Sequence, residues 1–197
     1  SIFADLGFSK NYNLKNFNKF PSYLTEHPQL HKKLPGIDFE TGSLGNGVGL
    51  ASGLGHALKL KKKKNKIIVL IGDGDLYEGS TWEALLFLSH LKLDNVIVLI
   101  DRNKLITLGS TENICRLEPL DKKLSSFSFN VHKVDGHNFN DLIKLQNKLK
   151  KKSTKPNIVI CDTIKGKGIN FIENEHTSHH RILNNKEFKL AMEDFNA

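Results

Sequence analysis

From residue 66 onward the apolar positions fall alternately into short continuous runs and into helical spacings. Residues 66–71 form an apolar run rich in β-branched side chains, which predicts a buried strand. Residues 78–92 follow with helical spacing that includes Trp82, Leu85, Leu86 and Leu88. Residues 95–101 repeat the buried-strand pattern, 131–134 is a weaker third strand, and 157–161 is a fourth. Between the last two strands, residues 141–152 put Leu142, Leu145 and Leu149 on one face of an amphipathic helix, and 187–195 reads as a closing helix. Strand and helix in this alternation predict an α/β fold, a parallel sheet with helices on both faces joined by right-handed crossovers. No internal repeat or long low-complexity linker interrupts it, so residues 1–197 read as a single domain.

In such a sheet the ligand lies beyond the carboxyl ends of the strands. The tails there are Gly72-Asp73-Gly74, Asp101-Arg102-Asn103, Asp135-Gly136-His137 and Lys165-Gly166-Lys167-Gly168. All four carry glycine or polar residues suited to a site. Upstream, residues 41–55 hold six glycines, a density that implies close backbone approach to a ligand or to another helix. Gly45, Gly47 and Gly49 do not complete a dinucleotide fingerprint, no strand precedes them, and no Walker A sequence is present, so the ordinary nucleotide readings fail.

Composition narrows the class. With 197 residues, 39% hydrophobic and 25% charged, the chain has material for a core and is not globally disordered. Its longest apolar run is far too short to span a bilayer, and residues 1–10 do not read as a signal peptide. Two cysteines, Cys115 and Cys161, support neither a disulfide framework nor a four-cysteine zinc site, and are expected to be small buried side chains in a reducing cytoplasm. The net charge of +8 comes largely from lysine runs at 61–64 and 148–152. Arginine is scarce and no aromatics interleave with the lysines, so these runs read as solvated helix ends, and nucleic acid is not expected as a partner.

The strand tails carry the chemistry. Two glycines around Asp73 let the backbone bend tightly about one carboxylate, and the next tail offers the amide oxygen of Asn103. Hard divalent cations take such oxygens, and Mg2+ is commonly shared with phosphate. Neighbouring parallel strands would bring the two residues together although 30 positions separate them. Taken locally, the same residues also suit two ordinary turns.

The longer pattern resembles the transketolase family. Gly72-Asp73-Gly74 followed about thirty residues later by Asn103 is similar to its thiamine diphosphate signature. Residues 72–84, Lys92-Leu93-Asp94-Asn95, Leu117-Glu118-Pro119-Leu120, Val134-Asp135-Gly136-His137, Lys165-Gly166-Lys167-Gly168, His27-Pro28, Pro35-Gly36 and Thr41-Gly42-Ser43-Leu44-Gly45 match in order. The chain looks most like the amino-terminal half of a split transketolase, lacking about 70 residues at its amino end, including a histidine of the substrate channel.

The resemblance implies a thiamine diphosphate-binding fold and transfer of a two-carbon ketol unit between sugar phosphates. It implies Asp73, Asn103 and the carbonyl of Leu105 as ligands of Mg2+ or Ca2+. Gly74 would lie at the diphosphate and Leu44 beside the thiazolium ring, with Gly42, Ser43, Gly72 and Asp75 among the cofactor-binding residues. His27 and His179 would face the diphosphate and substrate channel, with His180 as an alternative to His179. Glu78 and Trp82, with the helix that carries them, would lie at a subunit interface. The glutamate that activates the cofactor belongs to the other half. A heterotetramer is therefore expected, built on a pair of these chains and completed by a carboxyl-terminal partner subunit. Two alternatives stay open. One is a 1-deoxyxylulose-phosphate synthase-like or 2-oxo-acid decarboxylating enzyme, which residues 78–84 and 92–95 fit less well. The other is a non-catalytic subunit or fragment.

Overall fold

The computed structural model describes residues 2–8, 10, 13–31 and 34–196. They fall into two compact units, residues 1–44 and residues 45–197. The first holds a short helix, α1 (Ile2–Asp5), and a 3-10 turn (Leu14–Asn16) in which the Asn13 side chain caps the Lys15 amide. Stacked rings of Phe3 and Phe8, with centroids 4.6 Å apart, pack in this unit. An apolar pocket of about 600 Å³ there is lined by Phe3, Phe17, Tyr23, Leu34 and Phe39 among others.

The second unit begins with α2 (Gly47–Leu60) and runs through β1 (Ile67–Gly72), a 3-10 turn (Asp73–Tyr77), α3 (Gly79–His90) and β2 (Val96–Arg102). A two-residue hairpin, β3 (Leu105–Ile106) with β4 (Gly109–Ser110), leads to short helices α4 (Thr111–Ile114) and α5 (Leu120–Ser126). Then come β5 (Asn130–Asp135), α6 (Phe139–Leu149), β6 (Asn157–Asp162), a 3-10 turn (His176–His180) and α7 (Asn185–Asn196).

All four expected strands are present, all parallel, in the order β1-β2-β6-β5. The register aligns Gly72 with Asp101, and Arg102 and Asp135 with Asp162, so the four strands end nearly level. One face of the sheet, through Ile71, Val96, Val98, Ile100, Ile158 and Ile160, packs against Val48, Ala51, Leu85, Leu88, Leu120 and Leu124 of α2, α3 and α5. Each of these Val, Leu and Ile side chains contributes roughly 1.5–3 kcal/mol by leaving water. On the other face Ile97, Val159 and Cys161 pack with Leu145 and Leu149 of α6. That cover stops short of the edge strand: Ile68 and Leu70 of β1 are 65% and 68% exposed. Cys161 is buried as expected, whereas Cys115, just past the end of α4, is exposed.

Four of the six glycines in residues 41–55, Gly47, Gly49, Gly53 and Gly55, lie inside α2. Glycine costs a helix about 1 kcal/mol per residue. Burial of Val48 and Ala51 against the sheet offsets part of that cost.

Candidate functional site

Asp73 follows directly on β1, and Asn103 directly on β2. Because the two strands are adjacent and Gly72 is level with Asp101, the sequence expectation that these tails meet is met in the fold. Asp73 is 1% exposed. Its Oδ1 accepts from Arg102 Nη1 at 2.9 Å and its Oδ2 from the Lys104 amide at 2.5 Å. Burial pushes its carboxyl above the ordinary range, opposed by the charge and hydrogen bond of Arg102 and by the Lys104 amide. Asn103 is oriented by its neighbours. Its Nδ2 donates to Asp101 Oδ1 at 3.1 Å, and its Oδ1 accepts from the Leu105 amide at 3.0 Å. Thr163 also donates to Asp101, so that carboxylate fixes which end of the Asn103 amide faces the loop.

Asp75 is also buried, and both of its oxygens are used by backbone. Oδ1 accepts from the Gly45 amide and Oδ2 from the Gly72 amide, each at 3.0 Å. The Gly45 carbonyl accepts from Ser80 Oγ at 3.0 Å. Gly45 has φ +82°, and a Cβ there would stand 2.7 Å from the Glu78 Cβ, so only glycine fits this clamp. Gly72 and Gly74 flank Asp73 and are partly exposed. Glu78 is exposed at the start of α3. Trp82 turns inward: its indole N–H donates to the Leu76 carbonyl at 2.8 Å, and its ring lies 5.9 Å from Phe127. Outward on α3 stand Leu86 and Phe87.

The second, third and fourth tails surround a pocket of about 450 Å³ lined by Arg102, Asn103, Lys104, Asp135, His137, Asp162, Thr163, Ile164, Lys167 and Asn174. His137 Nε2 accepts from the Ile164 amide at 2.8 Å, a structural contact that ties the third tail to the fourth. Lys165 Nζ lies 3.4 Å from His179 Nδ1, and Lys167 pairs with Glu173 at 3.3 Å. Burial first, then Lys165 and His180, push the His179 imidazole below its ordinary pKa. In the first unit, His27 and Gly42 are brought together. Gly42 has φ +118°, and a Cβ there would meet the His27 ring at 2.8 Å. Leu44 is exposed, as is Ser43.

Sequence reasoning assigned no part to Arg102, which is 1% exposed and sits at the centre of the second unit's polar network. Its position one residue beyond a level pair of strand ends, opposite Asp73, was the available signal.

A family model described as the transketolase thiamine diphosphate binding domain matches residues 4–196. One of the subunits of the apulose-4-phosphate transketolase of Actinobacillus succinogenes is 40% identical over 191 residues, which cover 97% of this chain and 68% of that one. A subunit of the 6-deoxy-6-sulfo-D-fructose transketolase of a Clostridium species is 36% identical, covering 91% of this chain and 65% of that one. The crystal structure of the Campylobacter jejuni transketolase superposes with a TM-score of 0.86 at 32% identity, covering 94% of this chain and 30% of that one. The chain thus spans about two thirds of the split subunits it matches and under a third of the one-chain enzyme.

Proposed function

Because the chain belongs to the transketolase family, we propose that it is the cofactor-holding subunit of a two-chain transketolase, moving a two-carbon ketol unit between sugar phosphates. The observation that carries this reading is the convergence of Asp73 and Asn103 on adjacent strand tails, followed at once by the Leu105 backbone.

The donor chemistry fits a hard cation. Among the described residues no group of three or more His, Cys, Asp or Glu side chains could hold a metal by itself. One carboxylate with neutral amide and carbonyl oxygens leaves a divalent ion only partly neutralised. It suits an ion that completes its shell with phosphate oxygens. Asp73, Asn103 and the Leu105 carbonyl would therefore hold Mg2+ or Ca2+ against the diphosphate, with Gly72 and Gly74 giving the backbone close approach. Thiamine diphosphate, when bound, supplies the carbon–carbon bond chemistry by acting as an electron sink. Asp75 has both oxygens committed to backbone, so its part is to hold the Gly45 and Gly72 backbones together rather than to touch the cofactor. Lys165 and His179 would face the anionic end of cofactor or substrate. The parts of His27, Gly42, Ser43 and Leu44 rest on their matching positions.

The names of the two split relatives point to ketoses ending in phosphate or sulfonate as the substrate class. A partner subunit carrying the other half of the site completes the enzyme, and the free cysteines suit a reducing cytoplasm. The test is a ketol-transfer assay of the chain co-purified with its partner subunit, run against a set of ketose phosphates. Transfer supports the reading. Carbon dioxide release from pyruvate without ketol transfer overturns it in favour of a decarboxylating enzyme. Asp73→Ala is expected to weaken thiamine diphosphate binding at least tenfold, about 1.4 kcal/mol, by calorimetry in Mg2+. Unchanged affinity refutes the ligand assignment.

A further inference from the structure

We propose that Arg102 is the positioning residue of the cation site, holding Asp73 and the segment that carries Asn103 and Leu105 in place before any ion arrives; this rests on the metal reading above. The guanidinium has five N–H groups, and all five are used. Nη1 donates to Asp73 Oδ1 at 2.9 Å and Thr111 Oγ1 at 3.0 Å. Nη2 donates to Glu112 Oε1 and Glu118 Oε1, both at 2.9 Å, and Nε donates to Glu118 Oε1 at 3.3 Å. No donor remains to grip a phosphate, so Arg102 acts on the site through its neighbours.

Those neighbours bracket the ligand loop. Residues 103–110 leave β2 and return through the β3–β4 hairpin to Thr111, whose amide donates to the Lys104 carbonyl at 3.0 Å. Glu112 and Glu118 in turn accept from the amides of Leu117, Glu118 and Leu120. One side chain thus ties the tail of β1 to both ends of the loop, and the Lys104 amide of that loop closes on the second oxygen of Asp73. Asp73 is left with each oxygen holding one protein donor and one remaining lone pair for a cation. Lysine, a point charge with three donors and no planar fork, cannot make this set of bonds.

The test uses the co-purified complex and Mn2+ as the probe, followed by the loss of its free-ion resonance signal, without cofactor or substrate. Arg102→Lys is expected to weaken Mn2+ binding at least tenfold. Thiamine diphosphate affinity, measured separately, should fall at low Mn2+ and recover at saturating Mn2+, a rescue that general loosening of the fold would not give. Glu118→Gln is expected to weaken Mn2+ binding about threefold and serves if Arg102→Lys does not fold. Asp73→Asn separates the two readings. If Asp73→Asn keeps parental Mn2+ affinity, the metal assignment itself fails. If Asp73→Asn loses it while Arg102→Lys, or Glu118→Gln in its place, keeps it, Arg102 is not the positioning residue.

Discussion

His179 shows what a single side chain contributes and how it can be measured. It lies 3.4 Å from the Lys165 ammonium and edge-on to His180 at 4.7 Å. Burial is the leading cause of its lowered pKa, with Lys165 and His180 adding to it. The folded protein therefore binds this proton less readily than the unfolded chain does. Charging His179 costs stability as pH falls through the ordinary imidazole range, about 6.5, and the cost persists below it. In an NMR titration its midpoint is expected below that value. Lys165→Met is expected to raise the midpoint without restoring it fully, because the partial desolvation of this exposed ring and the neighbouring His180 remain; an unmoved midpoint would remove Lys165 from the account. Residues of this kind differ in how far the sequence revealed them. Asp73 and Asn103 were legible because parallel register turns a 30-residue separation into a neighbour relation. Arg102 was not, because its partners Glu112 and Glu118 sit in a stretch of two-residue strands and very short helices, where no period exists to place them. The sequence pattern set Asp75 among the cofactor-binding residues, but its commitment to two backbone amides depends on where the chain before α2 returns, which spacing does not encode.

At the scale of elements, β1 reads in sequence as a fully buried strand, and its neighbour β2 is one. In the fold β1 is the sheet edge, with Ile68 and Leu70 outside the cover of α6. Composition reported that both faces of β1 are apolar; it could not report which face finds a partner within these residues. The difference is measurable. Leu85 of α3 is fully buried, so Leu85→Ala is expected to cost about 2–5 kcal/mol in urea unfolding of the chain. Ile68→Thr and Leu70→Thr keep β-branching or gain it and empty no cavity, so each is expected to change stability by less than about 0.5 kcal/mol. A cost at Ile68 or Leu70 similar to that of Leu85→Ala would mean the stripe is covered. The long elements were legible for the usual reason, that four strands and the helices α3, α6 and α7 each repeat a period for a turn or more. The start of α2 was not, because closely spaced glycines carry no apolar period and its buried face shows only in tertiary context.

For the whole molecule the question is what the exposed apolar surface of the second unit is for. Leu50 and Leu54 of α2 stand 40% and 39% exposed, and Leu86 and Phe87 of α3 stand 61% and 45% exposed. Gly49 and Gly53 carry no side chain on the same outward side of α2, and a Cβ at either would meet nothing within this chain. The two helices pack on each other, and His56 meets Phe87 edge-on at 6.3 Å. Small residues admit close approach of another helix, and large exposed apolar side chains give that approach a driving force. This is the face expected to join two copies of the chain at the centre of the assembly, starting beside Glu78. Trp82 contributes to it indirectly, since its indole is spent on the Leu76 carbonyl and on packing near Phe127. The two kinds of residue should therefore respond differently. Leu86→Asp with Phe87→Asp is expected to leave the circular dichroism spectrum and unfolding midpoint of the chain close to parental. Sedimentation should then show the complex with the partner subunit falling to half its mass. Trp82→Asp is expected to lower the unfolding midpoint itself, by leaving the Leu76 carbonyl without its donor and placing a charge against the core. If the Leu86 and Phe87 double variant sediments at the parental mass, α2 and α3 do not join two copies of the chain.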